Sequence, residues 1–109
     1  MKNNLFLIGK STKNGRLEID ILNDKVYLNE QEICLTNTEY KMVKVMLTEN
    51  RVVSREEFLR RCFHSICVTP QTVDVHIVRI RKALGNKIIE TIYNEGYEIR
   101  KEDKAESER

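Results

Sequence analysis

Three helix-start signals follow one another in the middle of the chain, and they narrow its fold more than any other feature. Thr36-Asn37-Thr38-Glu39 and Ser54-Arg55-Glu56-Glu57 have the pattern of a capping box, in which a hydroxyl caps the helix and a glutamate reaches back. Thr69-Pro70 places a capping residue before a proline at the first helical position. Together with apolar residues at helical spacing, these signals predict three helices over residues 37–49, 55–62 and 70–84.

Strand patterns lie on both sides of the predicted helices. Leu17–Ile21 alternates with period two, so Leu17, Ile19 and Ile21 should share one buried face. Turn residues, among them Asn23-Asp24 and Asn29-Glu30, separate this run from three other short apolar runs: Leu5–Ile8, Val26–Leu28 and Ile33–Leu35. The N-terminal part therefore predicts an antiparallel meander of three or four short strands.

After the third helix, Gly85-Asn86 should end that helix in the left-handed conformation. Ile88–Ile92 and Gly96–Ile99 then flank Tyr93-Asn94-Glu95, which predicts a β-hairpin. The expected fold class is α+β: a winged helix-turn-helix with a small N-terminal antiparallel sheet, three helices and a C-terminal β-hairpin wing. We expect one domain, with strands over residues 1–35 and the winged helix-turn-helix over 36–99, followed by a charged flexible tail over 100–109.

Composition excludes several classes of protein. The net charge of the 109 residues is only +2, from 19 Lys and Arg against 17 Asp and Glu, so nucleic-acid binding would need a local arrangement of charge. No apolar run is long enough to predict a transmembrane helix, and we expect no membrane partner. The three cysteines are irregularly spaced, which predicts free thiols in a reducing cytoplasm.

The third predicted helix has two chemically different sides. Its inward stripe should consist of Val73, Ile77, Ile80 and Leu84. The outward side carries Gln71, Thr72, Val75, Val78, Arg79 and Lys82, with His76 and Arg81 on the flanks. Asp74 is expected in the first turn, where a carboxylate favours the helix dipole.

The outward side suits the edges of base pairs in a DNA major groove. Arg79 can bond guanine O6 and N7, Gln71 suits adenine, and exposed valines can meet thymine methyl groups. Basic residues near the end of the helix can also attract phosphates. The same features occur on ordinary amphipathic helices, so the helix alone leaves both interpretations open.

Catalytic and metal-binding signatures are weak. Cys62, His64 and Cys67 cluster in the sequence, but they supply only three ligands with no fourth nearby. No motif places a nucleophile beside His76, and no Gly-rich phosphate loop or carboxylate pair is present. We expect no metal, no cofactor and no enzymatic activity.

Four ordered segments resemble the OmpR/PhoB family of bacterial winged-helix effector domains. Leu35–Tyr40 is similar to its L-T-x-x-E-aromatic start of helix one, and Arg51–Leu59 to its R-V-V-S-R-E-x-L-L segment. Thr72–Leu84 resembles the recognition-helix pattern T-V-D-V-H-I-x-R-L-R-K-x-L, and Thr91–Tyr97 resembles the T-V-R-G-x-G-Y wing. The similarity extends over about residues 17–99.

The resemblance implies a four-stranded N-terminal sheet, three helices and a wing. It implies that Thr72, Val75, Arg79 and Lys82 approach bases or phosphates, whereas His76 and Arg81 would touch the DNA backbone. It also implies dimers or tandem pairs on repeated sites, so a homodimer is a candidate assembly. Many members activate transcription.

This sequence departs from the family pattern at several positions. Tyr93 replaces an arginine that would enter the minor groove, and Glu95 would be repelled by phosphate, although Asn94 can still hydrogen-bond. Val78 replaces a frequent arginine. The 63–68 loop, a polymerase-contacting surface in the family, is apolar here and is a candidate contact for RNA polymerase or another protein.

The favoured function is sequence-specific binding of double-stranded DNA by a transcriptional regulator. An accessory role on mobile DNA, in a plasmid-origin or transfer complex, is an alternative. A winged-helix protein-interaction module is another, because Val75 and Val78 are apolar and the net charge is small. No receiver domain is present, and the start at Met1 with a polar C-terminal tail favours a stand-alone binder over an excised fragment.

Overall fold

The computed structural model describes residues 7–12, 15–64 and 67–99. In these residues, a four-stranded antiparallel sheet is followed by three helices and then by a two-stranded antiparallel sheet. The elements are, in order, β1 (Leu7–Thr12), β2 (Gly15–Asp20), β3 (Lys25–Leu28), β4 (Gln31–Ile33), α1 (Asn37–Glu49), α2 (Arg55–Cys62), α3 (Pro70–Leu84), β5 (Ile89–Ile92) and β6 (Gly96–Ile99). This order confirms the predicted α+β winged helix-turn-helix. No helix within the described ranges is long and apolar enough to cross a membrane.

The N-terminal sheet is a meander in which each strand pairs with the next, in the order β1-β2-β3-β4. Leu17 and Ile19 are fully buried, as the alternating pattern predicts. Asn29 and Glu30 connect β3 to β4 with φ angles of 54° and 71°, the positive values that a tight two-residue hairpin turn requires. The turn residues and the apolar alternation together set the register of this sheet.

Some strand boundaries differ from those expected. β1 begins within the predicted Leu5–Ile8 run and continues to Thr12, while Leu5 itself lies outside the described residues. β4 ends at Ile33, so the run predicted to continue to Leu35 leaves the sheet early. Ile21 is 37 % exposed and lies in a turn, so the expectation that it shares the buried face was wrong.

The cause of the early end of β2 is Asp20. Its Oδ1 accepts hydrogen bonds from the backbone N–H groups of Leu22, at 3.0 Å, and Asn23, at 3.2 Å. The hydrogen bond from the Asn23 side-chain amide, together with these backbone bonds, lowers the pKa of the Asp20 carboxyl. A carboxylate that bonds its own following backbone favours a turn over a continued strand.

The helices begin and end where their signals predict, but one capping box is incomplete. At α1, Glu39 N–H donates to Thr36 Oγ1 and Thr36 N–H donates to Glu39 Oε1, which completes the reciprocal pair. At α2, Ser54 Oγ accepts from Glu57 N–H at 3.1 Å. The Glu57 carboxylate does not complete the box, because it accepts hydrogen bonds from the guanidinium groups of Arg51 and Arg61 instead.

The end of α3 is also different from the prediction. Gly85 N–H donates to Arg81 O at 2.7 Å, but Gly85 has φ 98° and ψ 160°. The positive φ explains the glycine, whereas the extended ψ shows that the residue is not left-handed helical as expected. The chain therefore leaves α3 in an extended direction toward the hairpin.

The hydrophobic core joins all parts of the described fold. α1 packs against β1, α2, α3 and β6, and its buried side chains include Met42, Val43 and Met46. The sheet adds Leu17 and Ile19 to the same cluster. A second link is the ammonium of Lys10 in β1, which is buried and donates to the carbonyl of Ile99 at 2.6 Å. The predicted tail over 100–109 lies outside the described residues.

Candidate nucleic-acid interface

The inner side of α3 fixes which residues point outward. Val73, Ile77, Ile80 and Leu84 are all buried, as predicted, and they belong to the hydrophobic core. Burying four apolar side chains at this spacing holds the helix in one rotation about its axis. The opposite side therefore faces solvent along the length of α3.

Five of the predicted outward residues are exposed: Gln71, Val75, Val78, Arg79 and Lys82. Val75 and Val78 are 49 % and 53 % exposed, which is unusual for two apolar side chains on one helix face. Among the described residues, none forms a hydrogen bond or ion pair with the side chains of Gln71, Arg79 or Lys82. These donors are therefore available to a ligand without the loss of an internal bond.

Thr72 and His76 are only half-buried, and both make bonds along the helix. Thr72 Oγ1 accepts from Thr69 N–H at 3.4 Å. His76 Nδ1 lies 2.9 Å from Thr72 O, and its ring meets Phe63 edge-on with the ring centroids 5.0 Å apart. The two side chains lie beside the exposed face, and the histidine ring position is set by the aromatic contact.

Arg81 occupies a different environment from Arg79 and Lys82. Its Nη2 donates to Ile89 O at 2.8 Å and to Thr91 Oγ1 at 2.9 Å, both on β5. The guanidinium also lies 5.7 Å from the centroid of the Tyr97 ring, within the range of a cation–π interaction. The Nη2 group of Arg81 thus joins α3 to the hairpin.

The hairpin exposes the two other predicted residues, Tyr93 and Asn94. Tyr93 is 85 % exposed, and Asn94 has φ 62° at the third position of a turn closed by the bond from Glu95 N–H to Ile92 O. Asparagine tolerates that conformation better than most residues. The turn from Tyr93 to Glu95 carries a carboxylate and no cation.

Asp74 makes contacts that the sequence did not predict. It lies in the second turn of α3, not the first, so its expected dipole role was wrong. Its Oδ1 accepts from the Tyr97 hydroxyl at 2.6 Å, and its Oδ2 accepts from Arg55 Nη1 at 2.9 Å. Arg55 and Tyr97 lie far from Asp74 in the sequence, so no local pattern could have identified these partners.

The environment of Tyr97 shows how closely this junction is packed. Burial, followed by the hydrogen bond to Asp74, raises the pKa of Tyr97 to about 12. The hydroxyl therefore remains a donor throughout the physiological range. Beside it lies an open groove of about 300 Å³ between α2, α3 and the hairpin, lined by Arg55 and by the carboxylates of Glu56, Asp74 and Glu95 among others.

The Cys62, His64 and Cys67 cluster does not come together as a site. Cys62 is buried, and burial raises the pKa of its thiol to about 11. His64 Nε2 lies 2.9 Å from Lys41 Nζ, and Cys67 is exposed. Within the part of the chain that the structure describes, no three His, Cys, Asp or Glu side chains are arranged to hold a metal ion.

Comparison with known sequences identifies related proteins over most of the chain. The family described as "Transcriptional regulatory protein, C terminal" matches residues 30–99. The transcriptional regulatory protein QseB of Haemophilus influenzae is 37 % identical over 87 residues, which cover 76 % of this chain and 38 % of QseB. The phosphate regulon regulator PhoB of Rhizobium meliloti is 33 % identical over 91 residues, covering 78 % of this chain and 40 % of PhoB. The chain thus spans about two fifths of the length of these relatives.

Solved structures show the same architecture. The DNA-binding domain of the response regulator AdeR, in complex with an intercistronic region, has a TM-score of 0.73 at 30 % identity, covering 84 % of this chain and 99 % of that domain. The DNA-binding domain of Klebsiella pneumoniae RstA, in complex with the RstA box, has a TM-score of 0.69 at 25 % identity, covering 84 % and 96 %. The family match, the relatives and these folds agree, and this chain belongs to the OmpR/PhoB-type family of transcriptional regulator C-terminal domains.

Proposed function

We propose that this chain binds double-stranded DNA sequence-specifically, with α3 in the major groove, as the DNA-binding part of a transcriptional regulator. The observation that carries this proposal is the outward side of α3, where Gln71, Arg79 and Lys82 are exposed and free of internal bonds among the described residues. Arg79 is assigned to a guanine edge and Gln71 to an adenine edge. Lys82 is assigned to a phosphate.

The other predicted site residues take supporting roles in this proposal. Val75 and Val78 are placed against thymine methyl groups, because they are exposed on the same face as Arg79. The DNA backbone is contacted by three half-buried residues, Thr72, His76 and Arg81. They use the donor atoms that are not bonded within the protein. Tyr93 and Asn94 meet the minor groove by shape and hydrogen bonding, since their turn has no cation.

The test is a salt-dependent binding titration on duplexes selected from a random library by the wild-type chain. Arg79→Ala should weaken binding to the selected site by roughly 1–3 kcal/mol and relax preference at one base pair. Lys82→Ala should weaken binding to all duplexes and lower the salt slope by about one. Arg16→Ala is the matched control, since Arg16 is an exposed arginine on β2 in the N-terminal sheet.

Two results would overturn the proposal. If the wild-type chain bound no duplex even at low salt, DNA binding would be excluded. If Arg79→Ala behaved like Arg16→Ala, α3 would not be the reading element. If Arg79→Ala instead weakened binding to all duplexes equally, Arg79 would contact a phosphate and not a base.

A protein-interaction module is the second candidate, and the exposed Val75 and Val78 pair favours it. Apolar side chains on an exposed helix face are typical of protein interfaces. Binding driven by these valines would show little salt dependence, whereas phosphate contacts release counterions and give a steep salt slope. A Val75→Ser variant that loses a protein partner and keeps duplex binding would support this second function.

Further parts of the proposal concern assembly and location. We infer a homodimer on repeated DNA sites, a cytoplasmic location and no enzymatic activity, all from membership of this family. The 63–68 loop is proposed as a contact for RNA polymerase or another protein; Phe63 packs against the core, and residues 65 and 66 lie outside the described ranges. Analytical ultracentrifugation with and without a duplex of two repeated sites would test the dimer.

A further inference from the structure

We propose that Asp74 and Tyr97 are positioning residues that hold the hairpin against α3, so that recognition of DNA beside the hairpin depends on a pair that does not itself read bases. This inference rests on the proposed DNA-binding function. Its geometry is the hydrogen bond of 2.6 Å from the Tyr97 hydroxyl to Asp74 Oδ1. That bond joins β6 to the second turn of the helix proposed to enter the major groove.

Asp74 connects three elements rather than two. Its second oxygen accepts from Arg55 Nη1 at 2.9 Å, and Arg55 is the first residue of α2. One carboxylate therefore receives a donor from α2 and another from β6. Because both donors share this carboxylate, its removal would loosen the hairpin and the first turn of α2 together.

Arg81 makes a second connection at the same place. It donates to Ile89 O and Thr91 Oγ1 on β5, and its guanidinium lies over the Tyr97 ring. The hairpin is thus held at β5 by Arg81 and at β6 by Asp74, both from α3. Two attachments on successive strands restrict rotation of the hairpin as well as its distance from the helix.

The backbone holds the same end of the hairpin. Tyr97 N–H donates to Val53 O at 3.0 Å, and Val53 N–H donates to Tyr97 O at 2.9 Å. Tyr97 is the second residue of β6, so these bonds lie beside the exposed turn and join it to the segment before α2. The side-chain bond from Tyr97 to Asp74 joins the same end to α3, and the turn residues Tyr93 and Asn94 project from this junction.

The experiment compares Tyr97→Phe, Asp74→Asn and the double variant on the duplex selected by the wild type. Tyr27→Phe on β3 is the matched control, because Tyr27 is half-buried in the N-terminal sheet. Each single variant should weaken binding about threefold to tenfold. The double variant should be only slightly weaker than either single variant, because both changes act on the same hydrogen bond: phenylalanine removes the donor, and asparagine replaces the charged acceptor with a neutral one.

Footprinting separates positioning from a general loss of stability. Hydroxyl-radical protection on the minor-groove side next to the hairpin should be reduced in both variants, while methylation protection of guanine N7 in the major groove is retained. Thermal unfolding of each free variant accompanies these measurements. Asp74→Asn keeps the test valid if Tyr97→Phe is unstable, since the Asp74 side chain is 40 % exposed.

The outcomes are distinguishable. Wild-type footprints and affinities in both variants would overturn the inference and leave the proposed function standing. Equal loss of major- and minor-groove protection, matched by a lower melting temperature, would overturn it in favour of a purely structural role. Failure of the wild type to bind any duplex would overturn the proposed function and, with it, this inference.

Discussion

The outward face of α3 and the turn of the hairpin are both exposed, but they differ in the charge that they present. α3 presents Arg79 and Lys82 without internal partners among the described residues. The hairpin turn presents Tyr93 and Asn94 beside Glu95 and offers no cation. A phosphate backbone favours the first surface and disfavours the second. This difference supports the proposal that α3 supplies affinity and base preference while the hairpin contributes shape.

The two regions also differ in how they are held. α3 is fixed by a continuous apolar stripe that includes Ile77. The hairpin buries Ile89 and Ile99 at the end away from its turn. Its turn end is held where Gly96, with φ 143°, lies against the backbone of Val53. A side chain on Gly96 would overlap the Val53 carbonyl oxygen. A buried apolar stripe thus holds α3 along its length, whereas a backbone contact and a few polar bonds hold the turn end of the hairpin.

The largest effect on stability is expected from a substitution on the buried side of α3. Ile77→Ala should lower the free energy of unfolding by about 2–5 kcal/mol, because it leaves a cavity in the core. Val78→Ala, on the exposed side of the same helix, should change it by less than about 0.5 kcal/mol. Chemical denaturation measures both. Equal effects of the two changes would show that the two sides of α3 are not as different as the structure indicates.

The next effect tests the support of the hairpin. Gly96→Ala should lower the free energy of unfolding by about 2–4 kcal/mol, because alanine is strained at this φ and its methyl group meets the Val53 carbonyl. Gly85→Ala is the control for positive φ alone, since nothing lies within 4 Å of its added Cβ. Thermal and denaturant unfolding compare the two variants. A milder loss for Gly96→Ala than for Gly85→Ala would contradict the close-approach argument.

A smaller effect is expected from a substitution that removes the charge difference between α3 and the hairpin turn. Tyr93→Arg adds a cation to the exposed turn and should strengthen duplex binding about tenfold at low salt, with a salt slope steeper by about one. Tyr93→Gln is the neutral control. Binding is measured on the same selected duplex at several salt concentrations. If the arginine changed neither affinity nor slope, the hairpin would lie away from the DNA.

The smallest effect is expected at Glu57 on α2, which belongs neither to the outward face of α3 nor to the hairpin. Arg51 and Arg61 hold the pKa of the Glu57 carboxyl at about 2, below its usual 4.5. A lowered folded pKa means that this carboxylate stabilises the fold above about pH 4.5 and loses that contribution as the pH falls toward 2. Glu57→Gln should therefore cost about 1 kcal/mol at neutral pH and flatten the loss of stability in acid.

Glu56→Gln is the matched control for this measurement, because Glu56 is exposed and adjacent in the sequence. Unfolding is followed between neutral pH and acid for both variants. Duplex binding should be unchanged by either substitution. A weaker affinity of Glu57→Gln for the duplex would show that the ion pairs of Glu57 with Arg51 and Arg61 support DNA binding.

How much the sequence could predict depended on the range of the interactions involved. The helix bounds and the buried stripe of α3 were confirmed, because caps and apolar spacing act within a few residues. The exposure of Gln71 and Arg79 followed from the same stripe. The family resemblance, which was based on four ordered motifs, was confirmed by the family match over residues 30–99.

The features that were wrong or missed depend on which of several possible partners a side chain bonds. The Glu57 carboxylate bonds Arg51 and Arg61, six and four residues away, instead of completing the capping box. Asp74 bonds Arg55 and Tyr97, 19 and 23 residues away. A pattern of residue types cannot choose between a backbone donor and a guanidinium that are both within reach of one carboxylate. Tertiary packing makes that choice by bringing the elements together.

Arg79 on the outward side of α3 is proposed to read a guanine in the major groove. A cycle that combines Arg79→Ala with 7-deazaguanine at each guanine of the selected duplex tests this contact, since this base lacks the N7 acceptor. We expect one position where deaza substitution weakens binding of the wild type by roughly 1–3 kcal/mol but leaves binding of Arg79→Ala unchanged. If the wild type and Arg79→Ala lost the same affinity at every guanine, no contact between Arg79 and N7 would exist and the account would be contradicted.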